Sequence, residues 1–324
     1  MRTAVIGAGA AGSLAAHLLH GGGSEVHLYE IREERRKQLQ SQGLRLRGAL
    51  QVEERFPVHA PGEAEVPFDA VVLAVKAVDT GDALRPLSPF VHRHTFYLSL
   101  QDGFAAEELA GLVGGEKTVV AVPWLSAEEE EDGAVRVEAV RSLVLGGLQA
   151  GFDSSRLAAL AEAMGGTLET VVGVAEDIRP EVWRRLRAAA GVSSLCALLG
   201  EVPDAARARE EVGRYAREAA EECERVATLQ GASLQERESP WDAAVWRRLR
   251  PPMLRDVMRG AATEVGWLCG SIAEKGGREG LKTPVTSALL SLVRELEKGA
   301  RSPGADNLRE LRRRVDEERG MSLL

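Results

Sequence analysis

The sequence predicts an α/β fold class: an N-terminal doubly wound sheet followed by an all-helical C-terminal domain. Three observations predict it. Short apolar runs alternate with helical segments up to Ile178, the pattern of a parallel sheet with helices on both faces. A glycine-rich turn, Gly7-Ala8-Gly9-Ala10-Ala11-Gly12, joins the first strand to the first helix. Beyond Ile178 the chain becomes rich in Ala, Glu, Arg and Leu, with apolar residues three and four apart and no convincing strand.

In chain order, residues 3–6, 25–29, 70–75, 95–100 and 118–122 are expected as buried strands, with helices over 12–19 and 33–42. Residues 135–138, 142–146 and 168–172 extend the sheet, with antiparallel members allowed. The acidic run 128–132 reads as a solvated loop. Pro180 suits a first helical position. Helices are then expected over 180–199, 205–230, 241–248, 252–273, 284–298 and 307–318, with breaks at Gly276-Gly277 and Pro303-Gly304. The expected domains are 1–178 and 179–324, and there is no internal repeat.

Composition narrows the class. A chain of 324 residues fits two domains, each of about 150 residues and able to bury a core. The net charge of −8 argues against a nucleic-acid or anionic-membrane footprint, which needs a basic stripe. No apolar run reaches the length of a membrane span, and the first residues read as a core strand and not a signal peptide. Cys196, Cys223 and Cys269 have neither metal-ligand spacing nor a disulfide pattern. A reduced, cytoplasmic protein is expected, without metal. Of 41 basic residues only six are Lys, and Asn307 is the one asparagine. All six His precede residue 95, so the helical region has no imidazole proton donor.

The glycine turn matches G-x-G-x-x-G at residue 7, directly after a strand. The first glycine permits the tight turn, the second lets backbone approach a pyrophosphate, and the third allows close helix–strand contact. The helix N-terminus then offers N–H groups and a positive dipole end to the anion. Gly7, Ala8, Gly9, Ala10, Ala11 and Gly12 are therefore candidate cofactor-binding residues. The second strand ends at Glu30, 18 residues after Gly12, where a carboxylate takes ribose hydroxyls and favours NAD. Arg32, Arg35 and Arg36 follow closely and suit the 2′-phosphate of NADP instead. The sequence is compatible with both cofactors.

Four further segments carry a resemblance. They are Val72-Leu73-Ala74-Val75-Lys76 at a strand end, Leu98-Ser99-Leu100-Gln101-Asp102-Gly103 at the next, and Trp183-Arg184-Arg185-Leu186 on the first helix of the second domain. The fourth is Pro252-Met253-Leu254-Arg255-Asp256 with Thr263-Glu264 and Gly270 after it. In this order, and through the Lys282-Thr283-Pro284 turn, the set resembles the ketopantoate reductase (2-dehydropantoate 2-reductase) family. The resemblance implies a Rossmann-type domain followed by a helical substrate and dimerisation domain, with substrate and nicotinamide between them. It also implies NADPH-dependent reduction of a small branched 2-oxo acid on the route to pantothenate, and allows a homodimer.

Carried over position by position, the resemblance makes Lys76 and Glu264 candidate catalytic and cofactor-facing residues. It adds Gln101 and Asp102 to the cofactor set, and Asp102, Arg185, Ala189 and Ser193 to the substrate set. The departures are informative. Arg185 stands where the family has its proton-donating lysine, and Asp102 where it has an asparagine. Ala189 and Ser193, one and two helical turns beyond Arg185, replace substrate-binding asparagines. Pro252 stands for a serine and Cys269 for an asparagine.

Hydride transfer to a ketone leaves an alkoxide that must be protonated or held by positive charge. Arginine stays protonated to about pH 12, so Arg185 suits a clamp and oxyanion stabiliser better than an acid. The proton then comes from Lys76 or from water relayed through Ser193 or Glu264. An ionised Asp102 about 4 Å from a substrate carboxylate costs about 4 kcal/mol at an effective dielectric of about 20. Asp102 therefore either pairs with Lys76 or Arg185, or the substrate is not a simple anion. Three readings follow: a divergent 2-oxo acid reductase, a decarboxylating 3-hydroxy acid dehydrogenase on a similar plan, and a dinucleotide-binding sensor or scaffold without turnover.

Overall fold

A computed structural model describes residues 1–63, 67–149, 152–165, 171–234, 239–243 and 248–320. Two compact units divide the chain. The first comprises Met1–Gln101 and Ala105–Ile178, the second Asp102–Phe104 and Arg179–Leu324. The three-residue turn after Gln101 thus belongs with the helices.

The first unit is built on ten strands: β1 (Arg2–Ile6), β2 (Glu25–Tyr29), β3 (Leu44–Gly48), β4 (Val52–Glu54), β5 (Val58–His59), β6 (Phe68–Leu73), β7 (Val91–Ser99), β8 (Thr118–Glu129), β9 (Val135–Gly147) and β10 (Val171–Val174). They form one sheet in the order β4-β3-β9-β8-β7-β6-β1-β2-β5, with β10 beside β9. The centre, β8-β7-β6-β1-β2, is parallel. Antiparallel pairs are β3 with β4 and β8 with β9. Its helices are α1 (Ala10–Gly21), α2 (Glu33–Gln42), α3 (Thr80–Leu84), α4 (Ala105–Val113) and α5 (Ser154–Gly165).

Alternation along β1 explains the two layers. Val5 points into a core with Leu28, Val72, Leu98, Leu14 and Leu18 of α1, and Leu157 and Leu160 of α5. Ala4 and Ile6 point the other way, against Phe68, Leu73, Leu87 and Leu109. Each fully buried leucine contributes about 1.5–3 kcal/mol. A sheet apolar on both faces needs cover on both, and that is the doubly wound plan.

Four expectations about elements change. The three stretches expected at 118–122, 135–138 and 142–146 are parts of one long hairpin, β8–β9. The acidic run is a solvated loop only in its second half: Glu128 and Glu129 lie within β8, while 130–132 form the hairpin turn with Glu131 and Asp132 exposed, Arg45 and Arg47 reaching Asp132 at 3.4 and 3.0 Å and Arg32 reaching Glu129. Strands β3, β4 and β5 were absent from the expectation. The strand expected at 168–172 overlaps β10 only at its end, and 166–170 lie outside the described residues.

The second unit contains α6 (Arg179–Leu199), α7 (Pro203–Ala206), α8 (Glu210–Leu229), α9 (Pro240–Ala243), α10 (Pro252–Met258), α11 (Ser271–Arg278), α12 (Pro284–Glu297) and α13 (Asn307–Glu318). Helix α6 is buried along nearly its whole length and packs on α8, α10 and α12. Its small residues permit this: a Cβ at Gly191 would lie 3.0 Å from that of Ala219 on α8. Glu222 of α8 caps α12, its carboxylate accepting the N–H groups of Val285 and Thr286 at 2.8 Å each and the Thr286 hydroxyl at 2.7 Å. Burial outweighs these bonds and raises the Glu222 carboxyl above its ordinary range.

Two expected helices are broken. The one expected at 205–230 is split between α7 and α8. The one expected at 252–273 stops at Met258, where Gly260 (φ +65°) ends it, and resumes as a π-type turn, Gly266–Gly270, before α11. Glu264 is therefore not on a helix; it precedes the π turn, with Thr263 accepting the Val265 N–H through its hydroxyl at 3.2 Å. The helix expected at 241–248 is described only as α9, residues 244–247 lying outside the described set. Among the described residues no helix is long and apolar enough to cross a membrane.

Candidate functional site

The glycine turn follows β1 and is shaped by contacts that only glycine tolerates. Gly7 has φ +93°, and a Cβ there would lie 2.9 Å from the Ala74 carbonyl oxygen. A Cβ at Gly12 would fall 1.9 Å from the Gly7 carbonyl oxygen. Gly9 differs: its Cβ direction is open, with nothing nearer than 3.8 Å. Close backbone approach by a ligand is thus possible at Gly9. Helix geometry leaves the N–H groups of Ala10, Ala11 and Gly12 without intrahelical acceptors, so the first turn of α1 presents donors.

Glu30 closes the turn from the end of β2. It is 4% exposed and accepts the Ala8 N–H at 3.1 Å. Burial opposes its ionisation, but Arg32 overrides this and holds the carboxyl below its ordinary range. Arg32 donates to Glu30 through Nε at 3.1 Å and a terminal nitrogen at 2.9 Å. The same guanidinium meets both oxygens of Glu129, at the end of β8, at 2.9 and 3.0 Å. Arg35 is buried beneath the turn, donating to the Ala8 carbonyl at 3.0 Å, to the Ser13 hydroxyl at 3.3 Å and to the Gly133 carbonyl. Arg36 donates to the carbonyls of Glu30 and Ile31 at 2.8 and 2.7 Å.

Beside Gly7 and Glu30 opens a cavity of about 250 Å³. Ile31, Pro61 and Leu87 give it apolar walls, and its charged lining among the described residues is Glu30, Asp79 and Asp82, with Arg85 pairing Asp82 at 2.9 Å. Apolar walls with a carboxylate in the lining suit an adenine ring and its ribose. The turn, the open Gly9 face and this cavity together fit the adenosine diphosphate half of a dinucleotide.

Lys76 and Gln101 follow the carboxyl ends of the neighbouring strands β6 and β7, where ligands of parallel sheets gather. Lys76 opens a 3-10 turn over Ala77–Asp79. The Gln101 amide is engaged internally: Nε2 donates to the Val75 carbonyl at 3.1 Å and to the Thr80 hydroxyl at 2.8 Å, while Oε1 accepts from Ser99 at 3.1 Å. Gln101 thereby fixes the turn that carries Lys76.

In the second unit Asp102 and Arg185 meet, Nε donating to Oδ1 at 3.1 Å, with side chains 15% and 7% exposed. The turn is held on either side. A Cβ at Gly103 would lie 2.1 Å from the Trp267 carbonyl oxygen, and the Phe104 ring meets Trp183 edge-on at 4.8 Å with Lys275 Nζ 4.1 Å from its centre. Ala189 and Ser193 lie on the α6 face of Arg185 at four-residue spacing, both buried. Glu264 stands before the π turn, three residues from Trp267.

Sequence reasoning missed Glu129, 97 positions from Arg32, and Asp79, since no local spacing marks either. Arg35 was a candidate anion ligand, but its burial under the turn makes it a structural tie. The three cysteines are buried, and burial pushes the Cys269 thiol up to about 12.

Family models match both parts of the chain: "Ketopantoate reductase PanE/ApbA" over residues 3–150 and "Ketopantoate reductase PanE/ApbA C terminal" over residues 177–297. A 2-dehydropantoate 2-reductase of Halobacterium salinarum is 30% identical, covering 91% of this chain and 98% of its own. The PanE/ApbA family ketopantoate reductase of Ralstonia eutropha superposes with a TM-score of 0.78 at 26% identity, over 92% of this chain and 99% of its own. D-mandelate dehydrogenase with NADH and anilino(oxo)acetate shares the fold, with a TM-score of 0.82 at 23% identity over 92% and 99%. On these matches and this architecture, the chain belongs to the ketopantoate reductase family of oxidoreductases.

Proposed function

We propose that the protein is a nicotinamide-dinucleotide-dependent reductase of a small 2-oxo acid, acting on ketopantoate or a close analogue. The observation that carries this reading is the glycine turn with Gly9 open, Glu30 bonded to Ala8 and the adenine-sized cavity beside them. Family membership supports the substrate class. Gly7, Ala8, Gly9, Ala10, Ala11 and Gly12 hold the pyrophosphate, and Glu30 the adenosine ribose. A bound reduced nicotinamide supplies the hydride.

Arg185 binds the substrate carboxylate or carbonyl oxygen as a fixed cation, offsetting the charge that develops on that oxygen. Its pairing with Asp102 supports the view that Asp102 is neutralised by the arginine and does not stand against the substrate as a bare anion. Lys76, on the turn that Gln101 fixes, donates the proton, and Glu264 orients the substrate hydroxyl. Small side chains at Ala189 and Ser193 leave fewer donors for a hydroxylated substrate tail than amides would. These changes favour altered efficiency towards ketopantoate itself.

The test is steady-state oxidation of NADH and NADPH with ketopantoate and a panel of 2-oxo acids. The reading expects at least one 2-oxo acid to be reduced with a kcat/KM on the order of 10⁴ M⁻¹s⁻¹. Tight nucleotide binding with no oxidation by any member would favour a binding protein without turnover, a reading that the engaged Arg185 supports. Failure to bind either nucleotide removes both readings.

A further inference from the structure

Three arginines follow β2, and carboxylates from two strands hold the one nearest Glu30. Each of the three is already committed. Arg35 is buried beneath the glycine turn, and Arg36 is turned to the backbone carbonyls of Glu30 and Ile31 through one terminal nitrogen. Arg32, the candidate nearest Glu30, is held on one side by Glu30 and on the other by both oxygens of Glu129. Glu30 and Glu129 together engage Arg32 from both sides, and the cavity beside Glu30 is lined by Asp79 and by Asp82, the latter paired with Arg85 at 2.9 Å.

Glu30 already accepts two hydrogen bonds on each oxygen, and an uncharged ribose diol can lie beside it without breaking an ion pair. A 2′-phosphate brings about two negative charges to the same place and can gain Arg32 only by displacing a carboxylate. We infer that this protein prefers NADH to NADPH, and that Glu129, on the tip of the β8–β9 hairpin, is a specificity-determining residue because it occupies Arg32. The inference rests on the proposed dinucleotide function and adds the choice between its two cofactors.

The experiment is equilibrium titration of the full chain with NADH and with NADPH, read by nicotinamide fluorescence without substrate. The native protein is expected to bind NADH at least tenfold more tightly than NADPH. Glu129→Gln keeps the size of the side chain, removes its charge and frees one side of Arg32; because Glu129 Oε2 also lies 3.8 Å from the Cβ direction of Gly9, both nucleotides are expected to tighten, with the NADPH-to-NADH affinity ratio rising about tenfold. Adding Arg32→Ala to Glu129→Gln is expected to cancel that gain, which a general loosening of the hairpin would not do. Equal or tighter native binding of NADPH overturns the inference and leaves the dinucleotide reading standing. An unchanged ratio in Glu129→Gln overturns the role of Glu129. Absence of binding by both nucleotides overturns the inference together with the function beneath it.

Discussion

Replacing Asp102 by Asn separates two effects of the buried ion pair in opposite directions. At 3.1 Å and an effective dielectric of about 20, the pair attracts with about 5 kcal/mol before desolvation is counted. Removing one partner of such a pair costs about 3–5 kcal/mol, because the buried charge that remains loses a hydrogen-bonded counter-ion. Asn keeps the shape and an acceptor oxygen, worth about 1 kcal/mol, so the expected loss is about 3 kcal/mol. At roughly 2–4 °C per kcal/mol, the melting temperature of the variant falls by roughly 6–12 °C. Its KM for the 2-oxo acid is expected to fall on the order of tenfold, about 1.4 kcal/mol, because Arg185 no longer shares its charge. Differential scanning calorimetry and oxidation kinetics across a substrate panel measure the two. Unchanged melting and unchanged KM together would refute the reasoning, and a KM that rises would mean that Asp102 itself binds the substrate.

Other outcomes follow from the same geometry. Gly12→Ala forces a Cβ to within 1.9 Å of the Gly7 carbonyl oxygen, so both melting temperature and nucleotide affinity fall, the latter at least tenfold by fluorescence titration. Gly9→Ala has open space, so it melts as the native protein does but loses nucleotide affinity; equal affinity would show that nothing approaches Gly9. Glu222→Ala leaves two buried N–H groups of α12 unsatisfied, costing about 2–5 kcal/mol, with faster amide exchange at Val285 and Thr286 as the check. The carboxyls of Glu30 and Glu222 act with opposite sign on acid stability. The lowered Glu30 contributes stability above its unfolded value near 4.5 that is lost as pH falls through the folded value. The raised Glu222 contributes stability present below 4.5 that is lost as pH rises through its folded value. Melting scans of Glu30→Gln against pH should show a flatter acid limb than the native protein.

The central sheet was legible because parallel strands buried on both faces are short apolar runs, and β1, β2 and β6 are such runs. The glycine turn was legible because its steric demand is local. The β8–β9 hairpin was not, since Pro123 and the run of glutamates look like interruptions. Beyond Val120 strand β8 pairs with β9 alone, so Pro123 lies where no N–H is needed on the other side, and bulges at Trp124/Leu125 and Ser126/Ala127 absorb the irregularity. Strand β3 alternates Leu44 and Leu46 with Arg45 and Arg47, a period-two signal whose charged members find acidic partners on the hairpin. In the helical unit, Gly260 and Thr263 marked a stop and a restart that the apolar periodicity concealed. For the site, Asp102 was legible as a charge in want of a partner, but the choice between Lys76 and Arg185 was not, because no spacing along the chain encodes it. The grip of Glu129 on Arg32 depends on a tertiary register that no spacing encodes.

Arg35 ties three stretches of chain to one point: the Ala8 carbonyl, the Ser13 side chain and the tip of the hairpin at Gly133. The anion-receiving loop is thereby preorganised. Little conformational freedom remains to be surrendered when a nucleotide arrives, so association should proceed at rates set by diffusion and orientation, without a slow ordering step.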